Sequence, residues 1–234
     1  MSAAVPVEGV DVPSTGRAWG RAVVLLAVTA VALWFIRANA VPYAVPDVMH
    51  AGRYVASRRA GLLLHIASGT IALLVGPVQL WLGLGRTRLG LHRRLGLLYV
   101  ASVALGSASA FYLASTTRLG WVFGAGLTGL GVAWLVTTGM ALAAIRRRQI
   151  PQHAEWMVRS YVVTFAFVTF RLLWAAFRAA EVGTLPEQLA AASWLCWSAP
   201  LLFTEAILQG RKIADAPRHS TEAVRSAHRN LTGA

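Results

Sequence analysis

The chain has 234 residues, 56% of them hydrophobic and only 13% charged, against roughly 25% charged in an average soluble domain. That much apolar surface cannot be hidden inside a water-soluble fold of this length, which excludes ordinary soluble enzymology. Its 22 basic residues outnumber 9 acidic ones, a formal charge of +13, but they sit in the gaps between long apolar runs. A nucleic-acid footprint would spread them along one face among aromatics, so the pattern reads as membrane topology and nucleic acid is excluded as a partner.

Residues 1–17 are polar, with Pro6 and Pro13, and read as a disordered tail. The first apolar run, Ala22 to Ile36, is short for a span, but Trp19 and Trp34 suit its interfacial ends, giving a span near 20–37. Ala38-Asn39-Ala40 resembles a cleavage site, yet the long leading segment and Arg37 favour an uncleaved span. A loop through Pro42 and Pro46 follows, reaching Arg59. The second span is expected near 61–84 and ends at an arginine-rich turn, Arg86 to Arg94. The third lies near 95–115 and the fourth near 121–145, the latter rich in the glycines that close helix packing in lipid requires. Pro151 suits a first helical position. One continuous fifth helix is expected from Pro151 to Ala180, its membrane part near 156–180, and the sixth span near 189–209. The reading is thus an all-α, polytopic bundle of about six spans, a transmembrane domain over 18–210 with a polar tail at 211–234.

Basic residues set the orientation. The two tails, the second-to-third turn and the fourth-to-fifth loop hold 15 of them, the opposite side 5, and Arg171 and Arg178 lie inside the fifth helix. The positive-inside rule then puts both termini in the cytoplasm. Anionic lipid head groups are the expected surface partners of the arginine clusters.

Ionisable groups inside a span are costly and normally face protein or water. At 100° per residue, His153, Met157, Ser160, Thr164, Arg171 and Arg178 fall within about 40° of one direction on the fifth helix. His65 and Gln79 head a stripe of small residues on the second helix, and His92, Gly96 and Tyr99 do so on the third. Such stripes face other helices. One reading is a set of packing seams whose histidines are satisfied by neighbouring carbonyls. The other is chemical: His92 and His153 at the cytoplasmic ends of their helices jointly holding haem b or a divalent metal, with His65 secondary because it lies about 29 Å away. Arg93 and Arg159 would then neutralise propionates or phosphate oxygens. With Arg159 and Arg211 taken as the water level, Arg171 lies about 18 Å and Glu205 about 9 Å deep, so these two are expected to form an intramembrane ion pair. Pro77 is expected to kink the second helix and Pro200 the sixth.

His65, then Gly76-Pro77-Val78-Gln79, then His92-Arg93-Arg94-Leu95-Gly96 with Tyr99, resembles the bacterial DUF2306 family of predicted membrane proteins. So does His153-Ala154-Glu155-Trp156-Met157-Val158-Arg159-Ser160-Tyr161 with Arg171 downstream. Trp194 to Glu205 is similar to the family's last helix, although Ser198-Ala199-Pro200 replaces its usual Asn-containing stretch. The resemblance spans roughly Gly61 to Gln209. It implies a histidine-bearing bundle reminiscent of b-type cytochromes and names no activity. The leading expectation is a membrane protein in a redox role, binding a cofactor through paired histidines. The alternatives are a small-molecule or proton transporter built on His65, Gln79, Arg171 and Glu205, or an accessory structural protein that binds anionic lipid.

Overall fold

A computed structural model of the chain describes residues 15–41, 52–85 and 88–215. The polar segments at 1–14 and 216–234, together with His50, Arg86, His219 and His228, lie outside the described residues. All regular structure among the described residues is helical: α1 (Thr15–Asn39), α2 (Gly52–Gly85), α3 (Leu89–Ser115), α4 (Trp121–Arg146), α5 (Ile150–Thr164), α6 (Ala166–Ala179) and α7 (Leu185–Asp215). Five of these helices are long and apolar enough to cross a membrane, and the α5–α6 pair makes a sixth if its two bent pieces form one span. The protein is therefore a polytopic helical membrane protein. In hydrocarbon only a closed intra-segment hydrogen-bond ladder satisfies the backbone, and the helix supplies it.

The chain divides into two compact units, Met1–Thr116 and Thr117–Ala234. In the first, α2 packs along α3 and α1 lies against α2. The α2–α3 contact is close at both ends: a Cβ on Gly83 would stand 3.3 Å from Cε1 of His92, and one on Gly61 would meet the Tyr112 ring at 2.7 Å. At the Gly61 end, Arg58 donates to the Leu113 carbonyl, a cation placed at the carbonyl end of α3, where the helix dipole favours it. In the second unit α4 packs against α5 and α7, and α7 also takes α6 and α5. Gly126 and Gly129 of α4 let α7 in: a Cβ on Gly126 would collide with the Ser193 side chain, and one on Gly129 would stand 3.0 Å from Trp197. Small residues at such crossings let helices approach closely where lipid supplies no hydrophobic drive between them.

Two expectations change. The helices outrun the predicted spans. α2 begins at Gly52, inside the expected loop, α3 begins at Leu89 ahead of His92, and α7 continues to Asp215 beyond the expected end at 209. Apolar length marks the hydrocarbon crossing, whereas the hydrogen-bond ladder continues into the polar interface. The fifth helix is not continuous: α5 and α6 meet at Phe165 with a bend of 41°. The break follows the β-branched run Val162-Val163-Thr164, where the Thr164 hydroxyl donates to the Ser160 carbonyl at 2.9 Å, a back-bond of the kind that bends helices. The first turn of α6 then tightens, Val168 N–H donating three residues back to Phe165 at 2.9 Å. Pro77 lies inside α2 and Pro200 inside α7.

Candidate functional site

In the second unit a polar seam runs between α4 and α5. His153, in the first turn of α5, sets Nδ1 2.9 Å from the Ala141 carbonyl of α4. Two turns on, the Ser160 and Thr138 hydroxyls lie 2.7 Å apart. One turn further, the Trp134 indole N–H donates to the Thr164 hydroxyl at 2.8 Å. Thr138, Ser160 and Thr164 are buried, the last two completely. The i, i+4 spacing from Ser160 to Thr164, against Trp134 and Thr138 running the other way, produces this ladder of an antiparallel hairpin. It ends at the Phe165 break, so the last buried hydroxyl sits where the helix turns aside.

Beside the seam lies a charge cluster. Arg159, only 6% exposed, donates through Nε and a terminal nitrogen to one oxygen of Glu205, at 2.7 and 2.6 Å. Gln209 donates to the other Glu205 oxygen at 2.6 Å. Glu155, one turn before Arg159, approaches the guanidinium at 3.5 Å and takes Lys212 at 2.7 Å. The Trp156 ring lies 4.7 Å from the guanidinium carbon. Two carboxylates thus answer two cations, and the buried Arg159 charge is neutralised within the cluster.

The pair expected between Arg171 and Glu205 is therefore wrong: Glu205 belongs to Arg159. The sequence reading took Arg159 and Arg211 as the water level. With α5 starting at Ile150 and α7 ending at Asp215, Arg159 and Glu205 each stand nine or ten residues from their helix ends, about 14 Å, at matching depth. Arg171 lies on α6, beyond the bend, and so leaves the stripe that a straight helix would have given it. It stacks on Trp174 at 5.8 Å instead.

The first unit holds the remaining candidates. Gln79, 3% exposed, donates to the His92 carbonyl at 2.8 Å. A Cβ on Gly96 would stand 3.7 Å from the same amide nitrogen. Gln79 therefore ties α2 to the start of α3. The half-buried His92 ring lies over Gly83, whereas Arg93 is exposed. His65 sets Nδ1 3.2 Å from the Gly106 carbonyl, fourteen residues along α3 from His92, or about 21 Å. These two histidines occupy opposite ends of their hairpin, as the helical rise requires. Tyr99 is fully buried between them in sequence. His153 belongs to the other unit.

A carbonyl only accepts, so His65 and His153 donate from Nδ1. That fixes ring orientation and, in the neutral ring, puts the lone pair on Nε2. Among the described residues no group of three or more His, Cys, Asp and Glu side chains could hold a metal ion. Trp134, Thr138, Glu155, Gln209 and Lys212 were not anticipated. Glu155 and Arg159 at i, i+4 carried a usable signal; the others become visible only when the helices pack.

A family model described as a predicted membrane protein (DUF2306) matches residues 62–208. No curated protein and no solved structure matches the chain. The matched stretch contains both contacts just described, Gln79 with His92 and Arg159 with Glu205.

Proposed function

The chain belongs to the DUF2306 family of predicted membrane proteins, and from that premise we propose that it moves protons, or a small polar solute coupled to them, across a bacterial cytoplasmic membrane. The observation that carries this reading is the broken α5–α6 span with its buried hydroxyl ladder, Thr138–Ser160 and Trp134–Thr164, leading from His153 to the bend. Discontinuous helices lined by polar groups are the usual setting of transporter binding sites, because backbone freed at a break needs protein or water beside it. The Thr138–Ser160 hydroxyl pair, two turns beyond His153, offers a buried station for a proton or polar solute, and the neutral Glu155–Arg159–Glu205–Lys212 cluster keeps the entrance from trapping a fixed charge. The basic-residue count places both termini, and with them the His153 end of the ladder, in the cytoplasm.

The test is flux. Purified protein in liposomes under a potassium-diffusion potential, with a pH-sensitive dye inside, should acidify or alkalinise the lumen faster than empty liposomes. Ser160→Ala and Thr138→Val should each slow this while leaving the melting temperature within a few degrees. Equal rates in empty and protein-bearing liposomes under proton and solute gradients would end the reading.

A second reading, a haem or divalent metal bound through His153, draws on the Nδ1-to-carbonyl anchor of that residue, the outer contact that orients most metal-bound histidines. Protein purified from cells fed a haem precursor would show a Soret band or stoichiometric metal that His153→Ala removes; a colourless, metal-free and well-folded product would dismiss it.

A further inference from the structure

The far half of the broken span carries cations that the described residues leave unanswered. Arg171, Trp174 and Arg178 follow one another at i, i+3 and i+7 on α6, which brings them within about 60° of one another around the helix. The guanidinium carbons of Arg171 and Arg178 lie 5.8 and 5.5 Å from the centroid of the Trp174 ring, so a single indole gathers both charges. The salt bridges among the described residues all belong to the Glu155–Arg159–Glu205–Lys212 cluster. The acidic side chains nearest in sequence do not serve either. Glu187 is spent on the Thr184 backbone N–H and hydroxyl, both at 2.7 Å, and Glu181 is exposed in the turn that ends α6. The Trp174 indole nitrogen is itself buried with no hydrogen-bond partner among the described residues.

This contrasts with Arg159, which has two carboxylates and an aromatic ring. An arginine at the centre of a membrane helix costs about 2.5–3.5 kcal/mol on insertion scales; half-buried Arg171 bears part of that cost, Arg178 is exposed near the end of α6, and the two like charges share one ring. Stacking on the ring relieves part of that cost, since a guanidinium is attracted to an indole face. It also leaves the in-plane N–H donors of each planar fork for an oxyanion, the geometry in which arginine binds phosphate best.

We propose that Arg171, Trp174 and Arg178 form a binding site for a phosphate oxyanion, with the stacked guanidiniums as a two-pronged clamp. The site lies on the part of α6 that leads to the α7 turn, where both a phosphodiester lipid head group and a free phosphate have access. It is independent of any flux along the α4–α5 seam.

Full-length protein in detergent micelles, titrated with phosphatidylglycerol or phosphatidylcholine and read by native mass spectrometry, should retain the phosphatidylglycerol about tenfold more strongly, a margin of about 1.4 kcal/mol. Arg171→Gln with Arg178→Gln should erase that margin, whereas Arg146→Gln with Arg147→Gln, at the end of α4, should keep most of it. Trp174→Leu leaves both charges but removes the platform, and it should cut the margin at least severalfold. If the margin survives Trp174→Leu intact, diffuse attraction explains it and the site is refuted; so too if it survives the paired glutamine change. Should that pair fail to fold, Arg171→Lys with Arg178→Lys keeps the charge without the planar fork, and full retention in it would overturn the clamp. Competition with millimolar inorganic phosphate separates the sources: displacement of the lipid assigns a free-phosphate site, and no displacement assigns the head group.

Discussion

Replacing Glu205 by Gln takes one charge from beside Arg159 and alters little else in volume. Removing one partner of a fully buried pair typically costs about 3–5 kcal/mol, whereas exposed pairs are worth about 0–1 kcal/mol. This pair is intermediate, with the Arg159 side chain 7% exposed and that of Glu205 43%. Glu155 also remains at 3.5 Å and the Trp156 ring at 4.7 Å to soften the stranded charge. The expected loss is about 2 kcal/mol, discounted from the buried limit for that screening. For a domain of this size it lowers the melting temperature by about 4–8 °C. Arg159→Met should lose less, about 1 kcal/mol, because the charge removed is the one that burial penalises and Glu205 keeps Gln209. The double variant should recover about 1 kcal/mol of the summed losses, the coupling of two groups in contact. Arg171→Met combined with Glu205→Gln should add within about 0.5 kcal/mol, as uncoupled sites do. Thermal unfolding in one detergent, followed by tryptophan fluorescence and circular dichroism, measures all six proteins, the Arg171→Met single variant included. Additivity of the Arg159 and Glu205 losses, or coupling of Arg171 to Glu205, would refute the assignment of partners.

Gly126→Leu should destabilise the protein by about 1–3 kcal/mol, since even a Cβ there runs into Ser193 and stands 3.0 Å from Trp194; Gly139→Leu, where a Cβ meets nothing within 4 Å, should change stability little by the same melting assay. Reporter fusions after Arg148 and after Arg211 should read cytoplasmic and a fusion within Val182–Gln188 external; an external carboxyl terminus would overturn the orientation drawn from the basic residues.

The apolar runs made the spans legible because a hydrocarbon slab rewards length and hydrophobicity alone, and four of the six were bounded at one end to within a residue or so by arginine clusters or turns. The family was legible because its segments are also contacts: Gly76-Pro77-Val78-Gln79 meets His92-Arg93-Arg94-Leu95-Gly96 through Gln79, the His92 carbonyl and the space left by Gly96. The break at Phe165 was hidden. Apolar periodicity is the signal for helix continuity in water, and in lipid the outward face is as apolar as the inward one, so a 41° bend leaves the composition unchanged. The Arg159–Glu205 pair was missed for a related reason. Depth was counted from arginines taken to lie in water, while the helices ran past them by nine residues at Arg159 and four at Arg211, and that error sufficed to exchange one arginine for another. The bland reading of two histidines as donors to neighbouring carbonyls holds for His65 and His153, and it leaves their second nitrogens as the chemically interesting ones.

Helix α1 is the poorest-packed of the long apolar helices: only 6% of the Ala22–Asn39 stretch is buried, against about a third in α2, α3 and α4. Membrane folding proceeds in two stages, insertion of each helix as an independent unit and then lateral assembly driven by packing. By that division α1 completes the first stage and contributes little to the second, its main contacts within the first unit being with α2. Its free energy comes from lipid around it and hardly at all from protein beside it. Substitutions along α1 that preserve its hydrophobicity should therefore be nearly silent, with Ala32, fully buried, as the point where sequence still matters.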